Sequence, residues 1–118
     1  MKFESCRGLT IWKSKKRRIE LWFCPPRFYV SPHRHPHQDI ELTFLFGSAE
    51  FYRLRGKSLR IAIMVWPFTM FRTMTIEAQD YHGFETGSLP LIFFNNCTWL
   101  GVDSNKSPSE DVEILTIL

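Results

Sequence analysis

Residues 31–47 read SPHRHPHQDIELTFLFG and contain three of the four histidines of the chain. Alternate positions of this stretch carry three imidazoles and two carboxylates: His33, His35, His37, Asp39 and Glu41. Successive side chains of a β-strand point to opposite faces, so an extended backbone would direct all five to one face. Imidazole binds Zn, Cu, Fe and Ni well, and a carboxylate adds negative charge. The segment therefore predicts a strand that carries a site for a first-row transition metal.

The length and composition of the chain indicate one folded domain. Of its 118 residues, 44% are hydrophobic and 15% are aromatic, which favours a globular protein over a disordered one. A chain of this length can bury one core but not two ordinary ones, so we expect a single domain over residues 1–118. The enrichment in Phe, Ile, Thr and Trp favours strands.

Short apolar runs separated by turn residues predict an all-β fold. The runs at 9–12 and 19–24 flank a basic turn and are typical of a hairpin. Further strands are expected at 41–52 with a break at Gly47, and at 59–65, 71–76, 91–94 and 112–118. The polar stretch 104–111 is expected to be a surface loop. Many short strands without a helical pattern or a repeat are typical of a small antiparallel β-barrel or jelly roll.

Charge and cysteine content limit the kinds of partner and site that the protein can have. The net charge of +3 comes largely from the basic run at 13–18, which contains no aromatic residue, so a nucleic-acid partner is not expected. The three cysteines show no CxxC spacing, so neither a disulfide framework nor a thiolate zinc site is indicated. No secretory signal and no apolar run of membrane-spanning length is present, so we expect a cytoplasmic protein without a membrane partner.

The histidine segment resembles the first motif of the cupin family, a His-x-His pair followed by a Glu and later by a Gly. His35, His37, Glu41 and Gly47 follow this order. The family's second motif contains one histidine, and the sequence DYHGF at 80–84 resembles it through His82. The resemblance covers about residues 28 to 95, and it implies a cupin-like jelly roll.

The resemblance also implies a ligand set for a divalent transition metal, with Fe, Mn, Zn and Ni as the expected ions. The predicted ligands are His35, His37, Glu41 and His82. The alternation of the strand leaves a second register open, in which His33 and His35 form the histidine pair and Asp39 supplies the carboxylate. Three imidazoles and one carboxylate would leave two positions of a six-coordinate ion for a small-molecule ligand.

Three classes of function remain compatible with this sequence. The first is a metal-dependent cupin oxygenase or isomerase that acts on a small oxygenated metabolite. The second is a non-enzymatic module that binds a sugar-like molecule, because residues 35–52 also resemble the N-terminal sugar-sensing cupin domain of AraC-type regulators. The third is a metal-free sugar-nucleotide isomerase or epimerase, with a histidine as general base and either the basic run at 13–18 or nearby arginines to hold the diphosphate. The candidate arginines are Arg34, Arg53, Arg55 and Arg60.

We also expect a homodimer. A small open sandwich leaves edge strands, and a second copy of the chain can cover them. The N-terminal hairpin and the apolar C-terminal segment 112–118 are the candidate surfaces.

Overall fold

The computed structural model is all-β and describes residues 2–3, 6–55, 58–65, 73–102 and 105–115. At residues 2–3, 54–55 and 58–65 it describes the backbone only. The described residues form the strands β1 (Lys2–Phe3), β2 (Cys6–Lys13), β3 (Arg17–Cys24), β4 (Tyr29–Arg34), β5 (Gln38–Phe46), β6 (Ser48–Arg55), β7 (Ser58–Val65), β8 (Thr73–Ile76), β9 (Tyr81–Thr86), β10 (Leu91–Trp99) and β11 (Glu113–Ile114). The predicted all-β class is confirmed.

The strands form two sheets that pack face to face. The first sheet has the order β1-β2-β3-β10-β5-β8, and the second has the order β11-β4-β9-β6-β7. Every pairing between these strands is antiparallel. Each sheet thus contains strands that are distant in the sequence, as the predicted jelly roll requires.

The core lies between the sheets and follows from the alternation along each strand. Every second residue of β10, from Leu91 to Trp99, is buried, and the intervening ones are half-buried. Aromatic rings from both sheets meet in the middle: the ring centroids of Phe44 and Phe51 lie 5.2 Å apart, and those of Phe84 and Phe93 lie 6.3 Å apart, both edge-to-face. Such a pair contributes about 0.5–1.5 kcal/mol beyond the area it buries.

The predicted hairpin and the break at Gly47 are both confirmed. β2 and β3 pair around the basic turn, with Lys13 opposite Arg18. Gly47 separates β5 from β6 and has a φ of 106°, and a Cβ there would collide with the backbone of Pro90. Only glycine adopts this conformation without strain, which explains why a strand-rich segment contains it.

The polar segment before the C-terminus differs from its prediction. Asn105, Ser107 and Asp111 are buried rather than exposed, at 7%, 0% and 7% of their accessible surface. Polar composition predicted a surface loop, but the segment packs inside: the amide nitrogen of Asn105 donates to two backbone carbonyl oxygens of the hairpin turn, while its side-chain oxygen is buried without a hydrogen-bond partner among the described residues. Of the strand predicted at 112–118, only Glu113–Ile114 is a strand, and residues 116–118 lie outside the described ones.

The outer face of the first sheet carries an apolar surface at the hairpin. Leu9 and Phe23 are 63% and 46% exposed, and they lie on neighbouring positions of β2 and β3 together with Trp12, which is 50% exposed. Grouped exposed apolar side chains often mark a protein–protein contact. We call Leu9, Trp12 and Phe23 the hairpin patch, and the expected homodimer would bury it.

We therefore predict that Phe23→Lys converts a homodimer into a monomer, because a charge within the hairpin patch would have to be desolvated on association. Size-exclusion chromatography with light scattering measures the mass. Tyr29→Lys is the matched control, since Tyr29 is an exposed aromatic residue of the second sheet. A wild-type monomer would contradict the prediction.

Candidate metal centre

Three buried histidines meet between the sheets. His33, His35 and His82 are 4%, 6% and 7% exposed, and their ring centroids lie 4.4–5.1 Å apart. One potential ligand atom of each lies within 4.8 Å of those of the other two. In the part of the chain that the structure describes, this is the one group of three or more His, Cys, Asp or Glu residues with that geometry. We call it the three-histidine cluster.

Two neighbouring strands and one turn position these rings. His33 lies on β4 directly opposite His82 on β9, and His35 follows the end of β4. β4 and β9 approach closely beside the cluster, because a Cβ on Gly83 would lie 2.5 Å from the carbonyl oxygen of Val30. A glycine at 83 is therefore needed for the spacing that brings His33 and His82 together.

Each ring is held through the same nitrogen. The Nδ1 atoms of His33, His35 and His82 lie 2.7, 2.8 and 3.2 Å from the backbone carbonyl oxygens of Ser31, Asp111 and Asp80, respectively. A carbonyl oxygen only accepts, so Nδ1 carries the hydrogen and Nε2 keeps the lone pair of the neutral ring. Histidine ligands of metal ions are typically fixed in this way.

Burial keeps the three rings neutral. Desolvation, followed by the charge of His35, lowers the pKa of His33 to about 4. Desolvation also lowers the pKa of His35, although its hydrogen bonds to the backbone of Asp111 and of Pro108, together with the charge of Asp111, oppose the shift. For His82, desolvation and then the neighbouring histidines lower the pKa well below its usual value. Neutral imidazole is the form that binds a metal ion.

The structure places two of the predicted ligands, His37 and Glu41, away from the three-histidine cluster. Both side chains are exposed, and Glu41 points outward from β5 opposite Asn96 and Thr75. The cause is a turn between β4 and β5, which changes whether odd-numbered or even-numbered residues face inward. β4 ends at Arg34, residues 36–37 form a turn, and β5 begins at Gln38, so the inward face of β5 carries even-numbered residues. One residue of shift moves every side chain to the other face.

The alternative register agrees with the structure in its histidine pair but not in its carboxylate. His33 and His35 both belong to the cluster, whereas Asp39 lies on the outward face of β5 and accepts a hydrogen bond from the backbone N–H of Ala78. Among the described residues, His82 is the one residue of the second motif that lies in the cluster. The cluster is therefore three imidazoles without a carboxylate, among the described residues.

His37 has a different role, at the end of the barrel. Its ring Nδ1 lies 2.8 Å from one carboxylate oxygen of Asp111, and its backbone N–H donates to the other at 3.0 Å. The backbone carbonyl of the same Asp111 holds the ring of His35. Asp111 thus fastens the turn after β4 to the C-terminal segment, and it connects His37 to the cluster indirectly.

A cavity of about 50 Å³ adjoins the three-histidine cluster. The remaining walls are mostly apolar side chains of both sheets, with two thiols, one amide and the C-terminal segment: Cys6, Trp22, Cys24, Ile40, Leu42, Phe51, Phe84, Phe93, Asn95, Pro108 and Ser109. One water molecule needs roughly 10–15 Å³ by this kind of measure, so the cavity admits a few heavy atoms.

Known structures share this architecture. A Klebsiella pneumoniae protein with a double-stranded β-helix domain superposes with a TM-score of 0.67 at 16% identity, over 87% of this chain and 80% of that one. A cupin superfamily protein of Desulfitobacterium hafniense gives 0.62 at 14% identity, over 86% and 83%. The chain has the cupin fold. The resemblance predicted from the two motifs is thus confirmed at the level of the fold.

An oxalate decarboxylase from Lactobacillus farciminis, in a formate complex, is also similar. It gives a TM-score of 0.71 at 17% identity, and the match covers 86% of this chain but 31% of that one. The cupin domain described here therefore corresponds to about a third of that protein. Neither a protein-family model nor a curated protein sequence matches the chain.

Sequence reasoning missed two polar residues inside the cupin barrel, Glu20 and Asn95. Glu20 is 0% exposed, accepts a hydrogen bond from the indole of Trp22 at 2.9 Å, and lies 3.5 Å from Arg18. Asn95 is 6% exposed, and its side-chain oxygen has no hydrogen-bond partner among the described residues. An unsatisfied buried group costs about 1–3 kcal/mol. Both lie on inward positions that the alternation of β3 and β10 could have revealed.

The cluster predicts acid sensitivity of the metal-free protein. Unfolded histidines bind protons below about pH 6.5, whereas folded His33 binds one only near pH 4. The unfolded state therefore binds more protons in this window, and the free energy of unfolding falls as the pH is lowered through it. The drop is about 3 kcal/mol for His33 alone, because one pKa unit corresponds to about 1.36 kcal/mol.

Urea unfolding of chelator-treated protein at a series of pH values measures this dependence. His33→Gln should flatten it, since one of the buried titrating groups is gone. Asn96→Leu is the matched control and should keep the wild-type slope, because Asn96 has no titrating group and its side chain accepts a hydrogen bond from Arg17 on the outer face of β10. Equal slopes for the wild type and His33→Gln would contradict the assignment of neutral buried rings.

Proposed function

We propose that this cupin binds a divalent transition-metal ion through the Nε2 atoms of His33, His35 and His82, and that the ion holds a small oxygenated molecule for an oxygenase or isomerase reaction. One observation carries the proposal. Three buried, neutral imidazoles converge, and the Nδ1 of each is turned to a backbone carbonyl oxygen. A purely structural histidine needs no such convergence of lone pairs.

The residues present fit such an ion. Imidazole nitrogens suit Zn, Fe and Ni, and Mn usually prefers sets that include oxygen ligands. Three protein ligands leave at least one coordination position for an outside molecule, which is typical of catalytic rather than structural sites. Because the three ligands are neutral, the ion keeps its full charge and favours an ionisable oxygen as its further ligand.

The ion and the residues of the chain would have different roles in the reaction. When bound, the ion would supply Lewis-acid chemistry and the positive charge that stabilises an anionic oxygen. The carbonyl oxygens of Ser31, Asp80 and Asp111 fix the three rings, so little reorganisation is needed when a ligand arrives. The mostly apolar walls offer few hydrogen-bond partners to water, and a ligand that displaces the water would strengthen electrostatic interactions inside.

The cupin fold of an oxalate decarboxylase supports an enzymatic role. That protein is named for a reaction on a small dicarboxylate, and its structure was solved with formate. The same fold therefore accommodates small oxygenated molecules. At 17% identity the likeness indicates a shared fold only. The reaction of this chain is therefore proposed from the residues that line its own cavity.

The two alternative functions have weaker support. A sugar offers many hydroxyl groups, whereas the walls beyond the histidines offer Asn95, Ser109 and two thiols as polar groups. A sugar nucleotide needs a cationic site for its diphosphate, and no arginine lines the cavity within the described residues. Arg34 binds Glu113 and Gln79, and Arg53 donates to the carbonyl of Thr75. The side chains of Arg55 and Arg60 lie outside the described ones.

The expectations about location and partners stay predictions. None of the described residues belongs to a helix long and apolar enough to cross a membrane. The cytoplasmic location and the absence of a nucleic-acid partner remain as the sequence suggested them.

Metal content tests the proposal. Protein purified without a metal-affinity column should carry about one equivalent of a transition metal, because the three ligands form one site. His33→Ala, His35→Ala and His82→Ala should each lower the metal content at least about tenfold. Elemental analysis by mass spectrometry measures it after dialysis against a defined metal concentration.

His37→Ala and Glu41→Ala are the matched controls, since both residues belong to the predicted ligand set but point away from the cluster. Both should keep the wild-type metal content. Metal lost in either control but retained in His33→Ala would reverse the ligand assignment, and a wild type that takes up no metal would refute the proposed function.

A further inference from the structure

We infer that the cupin cavity selects a compact, largely apolar molecule that binds the metal through oxygen and donates one hydrogen bond to the side-chain oxygen of Asn95. This inference rests on the proposed function, because it assigns the ligand class of the same site. Asn95 then acts as a specificity-determining residue in the wall opposite the three-histidine cluster.

The position of Asn95 places it within reach of such a ligand. It lies on β10 of the first sheet, whereas His33 and His82 lie on β4 and β9 of the second sheet. All three residues line the same cavity. A ligand held between the two sheets therefore meets the histidines on one side and Asn95 on the other.

The side-chain oxygen of Asn95 is buried and has no hydrogen-bond partner among the described residues. Its neighbour on β3 is Glu20, one carboxylate oxygen of which accepts a hydrogen bond from Trp22, while the other lies 3.5 Å from Arg18 without a hydrogen bond. A buried acceptor that is left unpaired calls for a donor from outside the protein, such as an O–H or N–H of a ligand. A ligand without that donor leaves the acceptor desolvated and binds more weakly.

The other walls of the cavity determine the polarity and the charge of the ligand that can bind. Trp22, Leu42, Phe51, Phe84 and Phe93 surround the space next to the histidines. No Lys, Arg, Asp or Glu of the described residues lines it. Arg18 is buried and is held by Glu20, Thr10 and the backbone of Asn105. Arg53 lies opposite His82 on the neighbouring strand, and its guanidinium donates to the backbone carbonyl oxygen of Thr75. A second charged group on the ligand would therefore be desolvated without a partner.

The volume limits the ligand to a few heavy atoms next to the ion. Together these features describe a small molecule with a short apolar body, a pair of oxygens suited to one metal ion, and a single hydrogen-bond donor. A sugar, a sugar phosphate and a dianion each lack one of these properties.

Acetohydroxamic acid is a suitable probe, because it has a methyl group, two metal-binding oxygens and one N–H donor. N-methylacetohydroxamic acid is the matched probe without the donor. Isothermal titration of the metal-loaded protein measures both affinities, in the wild type and in Asn95→Leu, whose side chain has a similar size. Asn96→Leu is the control variant, since Asn96 is the next residue of β10 and its side-chain oxygen accepts from Arg17 on the outer face.

We expect Asn95→Leu to weaken binding of acetohydroxamic acid about tenfold, as the loss of one buried hydrogen bond implies. Binding of the N-methyl compound should stay within about twofold in the same variant, because that probe has no donor to lose. Asn96→Leu should leave both affinities at the wild-type value. Asn95→Ala gives the same comparison if the leucine variant does not fold.

Two further readouts separate the failure of this inference from the failure of the proposed function. Metal content, measured on the same samples, should be equal in the wild type and in both variants at position 95. Normal metal content with unchanged affinity for acetohydroxamic acid in Asn95→Leu would overturn the role of Asn95 alone. Absence of metal from the wild type would overturn the proposed function, and the inference with it.

Oxalate tests the charge argument. Relative to its affinity for the same aqueous ion, oxalate should bind the protein more weakly than acetohydroxamic acid does, because its second carboxylate finds no cation in the walls. An equal or higher relative affinity for oxalate would show that the cavity accepts dianions and would overturn the assigned ligand class.

Discussion

Hydrogen bonds from imidazole Nδ1 atoms to backbone carbonyl oxygens determine which chemistry the interior of this cupin-fold protein can support. They hold His33, His35 and His82 in one tautomer, and one potential ligand atom of each ring lies within 4.8 Å of those of the other two. Without these bonds the rings could rotate or change tautomer, and the nitrogen atoms available to a metal ion would not be determined. Burial acts in the same direction, because it lowers the pKa of every ring in the cluster.

The arrangement depends on contacts that are distant in the sequence. β4 and β9 pair so closely that His33 and His82 lie opposite each other, and position 83 has room only for glycine. The third ring is fixed by Asp111, more than seventy residues away, which belongs to the segment that closes the barrel end. The fold thus positions a candidate metal centre with backbone groups rather than with acidic side chains.

The sequence predicted the strands well, because strand alternation is a local property. The hairpin of β2 and β3, the break at Gly47 and the cupin fold all follow from patterns of neighbouring residues. Of the predicted ligand set, the structure brings His35 and His82 into the three-histidine cluster, together with the alternate His33. His37 and Glu41 were assigned by extending one alternation through residues 36–37, where the chain turns. Pro36 was the signal for this turn, since proline cannot donate to a strand ladder.

Features that arise from long-range packing could not be predicted from local patterns. The polar stretch containing Ser107 and Asp111 was expected at the surface, yet its polar groups are buried against the barrel end. The inward position of Asn95 could be deduced from the alternation of β10, but its lack of a partner depends on what the opposite sheet presents. Such residues determine the ligand class, and they become visible only when both sheets are known.

Anomalous diffraction from crystals of the metal-loaded protein, collected at the absorption edge of the bound metal, tests the central claim most directly. The account predicts a single strong peak about 2.0–2.2 Å from the Nε2 atoms of His33, His35 and His82, as expected for metal–imidazole bonds. A peak at His37 and Glu41, or crystals soaked in metal that show no peak between the sheets, would contradict it.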